Sequence, residues 1–445
     1  MKNVLFFKVT ALITLLCCAM LCIPCAAATV YQDVSGGQIR FDTQTGMVVG
    51  FVDVPDNIVI PQQIDGVTVT AIAARAFAQC TSLVSVQLPN TVTIIGNGAF
   101  YNCANLISVQ LPTALEIIEA NLFYGCVQLQ SIAMPASVET VRDYAFADCF
   151  ALQTVTFSQN LTNIGSYAFL DCMQLQDISF PQNLQKISND AFSGCVKLTT
   201  VTIPQNVTHV GRNAFAGCNK LENILVDTSN AAYTSDGGVL FSKYMDTLLQ
   251  YPAGKAGQYM VPVGTGVVEE QAFGNCTKLS EVTIPGSVYQ IGAKAFGGCV
   301  NLILATFESP TMPYMGGGVF SYCGQVVLQG ESGSQVEQYA QTNGLPFRST
   351  TDFGDFDWRI NKVTMAAGQV NATLQKQNNP AMPSIVVALY NRDGRLLDTK
   401  TATVTGGKLD YQISADLTNV ATVKVMLWSS LDKMQPVAKP YTYLY

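Results

Sequence analysis

Ten phenylalanines keep step along this chain. Seven stand at 77, 100, 123, 146, 169, 192 and 215, a constant spacing of 23 residues. After an interval of 58 the series resumes at Phe273, Phe296 and Phe320, with spacings of 23 and 24. A fixed period of roughly 20–29 residues constrains a fold severely, because every copy must bury the same face against its neighbours. It predicts a solenoid of stacked coils rather than one globular core.

Each full period reads alike, as in "LVSVQLPNTVTIIGNGAFYNC" at 83–103 and "LTTVTIPQNVTHVGRNAFAGC" at 198–218. Leu83, Val86 and Leu88 alternate with Ser85 and Gln87, the period of a half-buried strand. Pro89, Pro112, Pro135, Pro181, Pro204 and Pro285 end that strand, since proline has no N–H for the ladder; Ser158 is the exception. A second short extended piece ("VTIIG") and a tight helical turn ("AFYNC") bring the chain back. Stacked coils then form a parallel sheet with strands roughly 4.8 Å apart.

The pattern L-x-x-I-x-I-P, then I-G-x-x-A-F-x-x-C, resembles the BspA-like leucine-rich repeat family of bacterial surface proteins. The resemblance implies a mostly β, right-handed leucine-rich repeat solenoid over 58–349, capped at both ends. The N-terminal cap is expected at 29–57 as a hairpin around "TQTG", and the C-terminal cap at 333–348 as a short amphipathic helix. The polar-ladder position holds Asn160, Asn183 and Asn206 but Thr91, Ala114, Ser137 and Ser287 elsewhere, so no unbroken asparagine ladder is expected.

The interval of 58 contains an insert, about 225–262. Its apolar strands around "KYMD" predict a hairpin over 237–255 standing off the solenoid, with Tyr244 and Tyr251 as possible aromatic anchors. Beyond an acidic linker at 350–356, residues 357–445 alternate at period two. They predict a small immunoglobulin-like β-sandwich with Trp428 in its core. This segment resembles small β modules appended to exported proteins of Gram-positive anaerobes, which implies a spacer or accessory role.

The first 28 residues read as a secretory signal: Lys2 and Lys8, an apolar run through Ile23, then "PCAAA". Cleavage after Ala28 removes two lysines and no acids, moving the formal charge from −7 to −9. An acidic chain with no Lys/Arg cluster lacks the footprint of a nucleic-acid binder. After cleavage no segment has the ~18 apolar residues needed to span a bilayer.

Fourteen cysteines are present, ten of them beyond residue 28, one per coil. Zinc needs three or four converging ligands, and single cysteines strung along an axis do not supply them. Export favours disulfides, yet parallel Cβ vectors on neighbouring coils hold the Cβ atoms near 5 Å, beyond the ~3.8 Å that bridging prefers. The reading adopted is a small buried side chain filling the same hole in every coil. His209, the one histidine, takes the place of Ile94, Thr140, Asn163, Lys186 and Gln290 in sister coils and is read as solvent-facing. No catalytic, metal or cofactor site is therefore expected.

Two surfaces remain. Outward strand positions, among them Thr154, Thr156, Asp177, Ser179, Thr200 and Thr202, should tile a long, nearly uncharged sheet face. Tyr101, Tyr124, Tyr144 and Tyr167 flank the AF phrase in four consecutive coils and form a candidate aromatic patch. The expected function is that of a secreted or cell-surface, non-enzymatic binding protein for a protein or glycan ligand outside the cell, with adhesion implied by the family resemblance. The alternatives are a structural component of the envelope or an accessory module of a carbohydrate-active system.

Overall fold

The computed structural model describes residues 29–350, except 35–36, 54–55 and 325, together with strands and short turns within 358–444. The signal sequence, most of the linker and the Trp428 side chain lie outside the described residues. The chain divides into a repeat unit running to Leu328, with Tyr339–Pro346, and a C-terminal unit formed by the remainder.

The repeat unit is a solenoid, mostly β with little helix. Strands pair in parallel with a register step of one period: Ser85 opposite Ser108, Ser131 opposite Thr154, Thr200 opposite Asn223. The centres of these strands, Val86, Ile132 and Val201, point inward, alternating with small or polar neighbours on the outer face. A second ladder joins Ile117–Ile118, Thr140–Val141, Asn163–Ile164, Lys186–Ile187 and His209–Val210. The third side holds hydrogen-bonded turns in place of the expected helical ones. Its backbone bonds also run between coils, as from Phe169 N to Ala191 O at 2.8 Å.

These turns need a left-handed residue just before each cysteine. In five consecutive coils it is Asn102, Gly125, Asp148, Asp171 and Gly194, with φ between 55° and 76°. Asn, Asp and Gly tolerate that region best, which explains the residue types found there.

The phenylalanines form the core. Phe77, Phe100, Phe123, Phe146, Phe169, Phe192 and Phe215 stack with ring centroids 5.0–5.7 Å apart. All seven are buried. Before the first coil, three antiparallel strands (Thr29–Val34, Gly37–Asp42, Met47–Asp53) join the second ladder through Met47–Val48 and Ala71–Ile72. Phe51 lies on Phe77 at 6.0 Å, continuing the stack outward. At the other end the helix Gln335–Thr342 follows the strand Val327–Gly330.

The insert departs from expectation. The expected hairpin forms, but it does not stand off the solenoid. Tyr233–Asp236, Val239–Ser242 and Thr247–Gln250 form an antiparallel set, and the last strand pairs in parallel with Val267–Val268. The insert thus begins the second ladder of the C-terminal coils, while its link back to Val210 is the Tyr233 hydroxyl, which accepts from the Val210 amide at 2.9 Å, and not a strand pair. The physical reason is its apolar content: Val239, Leu240, Phe241 and Leu248 are buried and need cover on both sides.

In the C-terminal unit, Trp358–Ala366, Gln369–Lys376 and Asp410–Ser414 make one antiparallel sheet. Leu396–Thr403, Ser384–Tyr390, Thr422–Trp428 and Tyr441–Leu444 make a second. Ile360, Val370 and Leu374 from the first share a buried cluster with Ile385, Val387 and Val425 from the second. Among the described residues no helix is long and apolar enough to cross a membrane.

Candidate functional site

The repeating cysteine has a role that its size alone does not reveal. Eight of the ten thiols donate to the phenylalanine carbonyl of the preceding coil, as Cys103 to Phe77 at 3.1 Å, Cys195 to Phe169 at 3.2 Å and Cys299 to Phe273 at 2.9 Å; Cys80, in the first coil, contacts the Ser82 hydroxyl instead. Burial pushes the Cys103 and Cys218 thiols up to about 12, and pushes Cys126, Cys172 and Cys195 well above the ordinary value. All ten are free and buried. The thiols so shifted are protonated donors, unsuited to nucleophilic work. The 23-residue spacing signals their placement, but the sequence does not show which carbonyl they meet.

Polar side chains cap other carbonyls in the same manner. Asn160, Asn183 and Asn206 donate to Ala136, Gln159 and Gln182 at 2.9–3.0 Å, while Ser137 and Ser287 take over elsewhere. The capping lapses at Ala114, which has no side-chain donor, and at Thr91, whose solvent-shielded hydroxyl has no hydrogen-bond partner.

On the sheet face Thr154, Thr156, Asp177, Ser179, Thr200 and Thr202 are all exposed, on three consecutive coils. The face is not the uniform surface expected. Asp177 makes only an isolated bridge to Thr154, and its coil forms no strand there. The break coincides with Phe157 and Phe180, adjacent rings 5.7 Å apart where other coils carry Leu88, Leu111, Met134 or Ile203. These rings turn edge-on to Phe169 and Phe192, a broader packing than aliphatic side chains need. Beside the break lies a shallow depression of about 230 Å³ lined by Gln176, Asp177, Lys197, Thr199 and Lys220. One carboxylate and two ammonium groups thus gather at the middle coils, and Lys197 also bonds to Gln174.

The two hairpin tyrosines part company. Tyr244 is 89% exposed and available to a ligand. Tyr251, expected as a second anchor, is 2% exposed and cannot serve as one. It takes the phenylalanine's place in the interrupted coil, stacking on Phe273 at 4.9 Å, with its carbonyl facing the Cys276 thiol at 3.7 Å. His209 is exposed and sits in register with Lys186; partial burial and that lysine's charge lower its pKa. Among the described residues no cluster of three or more His, Cys, Asp or Glu side chains is placed to hold a metal ion.

The turn side carries the four tyrosines as a connected row. Tyr101 stacks on Tyr124 at 5.1 Å, Tyr124 meets Tyr144 at 6.5 Å with tilted rings, and Tyr144 stacks on Tyr167 at 4.7 Å. Arg75 covers the outer face of Tyr101 at 5.3 Å. A hydrogen bond to Asp148 pushes the Tyr124 hydroxyl up to about 12.

The family model for the BspA type leucine rich repeat region matches residues 56–173, 140–237 and 258–329, in six copies. Among solved structures, a leucine rich cell surface protein from Faecalibacterium prausnitzii A2-165 is similar at 25% identity and a TM-score of 0.58, covering 73% of this chain and 95% of that one. A leucine-rich repeat protein from Bacteroides ovatus ATCC 8483 shares the fold at 21% identity and a TM-score of 0.50, covering 72% and 88%. A search of curated proteins found no match. The family model covers more than half of the sequence with the period, the phenylalanine stack and the parallel ladders all in place, and the chain belongs to the BspA-type leucine-rich repeat family.

Proposed function

We propose that this chain is an exported, non-enzymatic binding protein, freed from its signal sequence after Ala28 and acting at or beyond the cell surface. The observation that carries this reading is the sheet face of the middle coils. Thr154, Thr156, Asp177, Ser179, Thr200 and Thr202 reach solvent from three consecutive coils beside a charged depression. Small polar side chains on a rigid ladder offer little energy each, so affinity comes from several coils engaged together. Tyr244, from the insert, supplies one aromatic anchor. The cell-surface description of the Faecalibacterium protein supports the location. A protein ligand recognised in adhesion is the partner that the repeat family favours, with a glycan as the alternative.

The ends fit the same reading. The N-terminal strands, with Ile39, Phe41 and Val48 fully buried, serve as a cap over the first coil, and the helix Gln335–Thr342 as the C-terminal cap. The two sheets of the C-terminal unit serve as an immunoglobulin-like spacer. Exposing residues 29–445 to arrays of matrix proteins, mucins and glycans tests the function. Binding to a protein supports the adhesin; binding to glycans alone points to the carbohydrate-accessory role. Silence on all three points to a structural component of the envelope.

A further inference from the structure

The turn side of the coils between Arg75 and Val196 has features that the sheet face lacks. Its tyrosine row runs parallel to a second column, the residue after each cysteine, which reads Ala104, Val127, Phe150, Met173 and Val196. Phe150 and Met173 are exposed, each at 40%. Beside the tyrosine row, between the residue before and the residue after each cysteine, lies a shallow groove of about 500 Å³ that runs from Gln79 and Thr81 across four coils to Asp148 and Phe150.

Asp148 and Asp171 stand on adjacent coils along this line, both half-buried. Among the described residues neither is in an ion pair; the pairs present are Arg142–Glu119, Arg212–Glu270 and Lys400–Asp398. Burial, then the neighbouring Asp148, raises the Asp171 carboxyl above the ordinary range. Two carboxylates held together without a cation favour an incoming positive charge.

We propose that this face binds an extended, proline-rich segment of another protein, bearing lysine or arginine and laid along the solenoid axis in the polyproline II conformation. Geometry selects that conformation. Adjacent coils are spaced by about 4.8 Å, so two coils advance about 9.6 Å. A polyproline II helix repeats every three residues, about 9.3 Å, and so returns the same side chain to every second coil. A β-strand repeats its side-chain direction every ~6.7 Å and falls out of step within one coil. Aromatic-lined grooves take proline-rich segments in this way, with little ordering cost to the ligand. The acidic pair then fixes a cationic residue, and the tyrosine edges and Phe150 cover the prolines. This proposal is independent of the sheet face.

The test uses residues 29–445 and dye-labelled peptides of four Pro-Pro-Lys or four Gly-Gly-Lys units, read by fluorescence anisotropy. Two paired variants borrow residues that sister coils already carry at the same places. Asp148→Asn with Asp171→Asn follows Asn102, and Tyr124→Ala with Phe150→Thr follows Ala147 and Thr81. The proline peptide should bind about tenfold or more tightly than the glycine peptide, and lose about tenfold on each paired variant. Thr154→Arg with Thr200→Arg on the sheet face should leave its affinity unchanged. No binding of the proline peptide, equal binding of the two peptides, or wild-type affinity in both turn-face variants would overturn the proposal.

Discussion

The Cys195 thiol donates to the Phe169 carbonyl at 3.2 Å, and the Phe169 amide donates to the Ala191 carbonyl at 2.8 Å. One coil therefore satisfies both polar groups of the phenylalanine in the coil before it. The phenylalanine side chain, meanwhile, stacks on Phe146 and Phe192. The repeated "AFxxC" phrase is a single device for joining coils, which is why its cysteine does not drift.

Cys195→Ala removes both a donor and buried volume. It should destabilise the repeat unit by about 1–3 kcal/mol, combining a lost hydrogen bond with a small cavity. Urea unfolding of the variant against the parent checks this. A change below about 0.5 kcal/mol would mean that the thiol merely fills space.

The same thiols predict alkaline weakness. Burial raises the native pKa of Cys126, Cys172 and Cys195, so the unfolded chain loses its thiol protons first. Their contribution is complete below about pH 8.5, the unfolded value, and falls as pH rises through the native one. Each such thiol loses about 1.4 kcal/mol per pH unit within that window. The urea midpoint should fall clearly between pH 7.5 and 9.5, and alkylating agents should label the ten cysteines only after unfolding. A midpoint indifferent to pH, or rapid labelling of the native protein, contradicts this picture.

Phe169→Ala should cost about 3–5 kcal/mol, since the ring is fully buried with stacked neighbours on both sides. Phe320 is 8% exposed and stacks on Phe296 at the end of the run, so Phe320→Ala should cost less. Comparing thermal unfolding of the two variants decides it; equal and negligible losses would remove the phenylalanines from the core.

Tyr251→Phe should be neutral or stabilising by up to about 1 kcal/mol, because the buried hydroxyl has no hydrogen-bond partner in the structure. Tyr251→Ala should behave like a core truncation. If the phenylalanine variant is instead strongly destabilised, Tyr251 is not the stand-in for the missing phenylalanine.

The repeat was legible because periodicity survives without knowledge of any contact. The spacing of Phe77 to Phe215 specifies which residues share a column, and the alternation around Val86 specifies which face water. Departures from the period were harder to read. Tyr251 lies 22 residues before Phe273 and carries a polar tip, so it resembles a surface anchor until its ring is seen in the stack. The insert's strands look like an independent hairpin, since local pairing is visible in a sequence and the parallel partner Val267–Val268 is not. The break at Asp177 lies beside the paired rings of Phe157 and Phe180, and the alternation of Asp177, Ile178 and Ser179 reads like that of any other coil, so the sequence carries no sign of it.

The sheet-face assignment is tested most directly with a partner captured by residues 29–445, measured against Thr154→Arg with Thr200→Arg. Two arginines on this face place bulk and charge among small threonines on either side of the Asp177 coil. Affinity should fall at least about tenfold, about 1.4 kcal/mol, with thermal stability unchanged. Undiminished affinity in a folded double variant would contradict the assignment of binding to the middle coils.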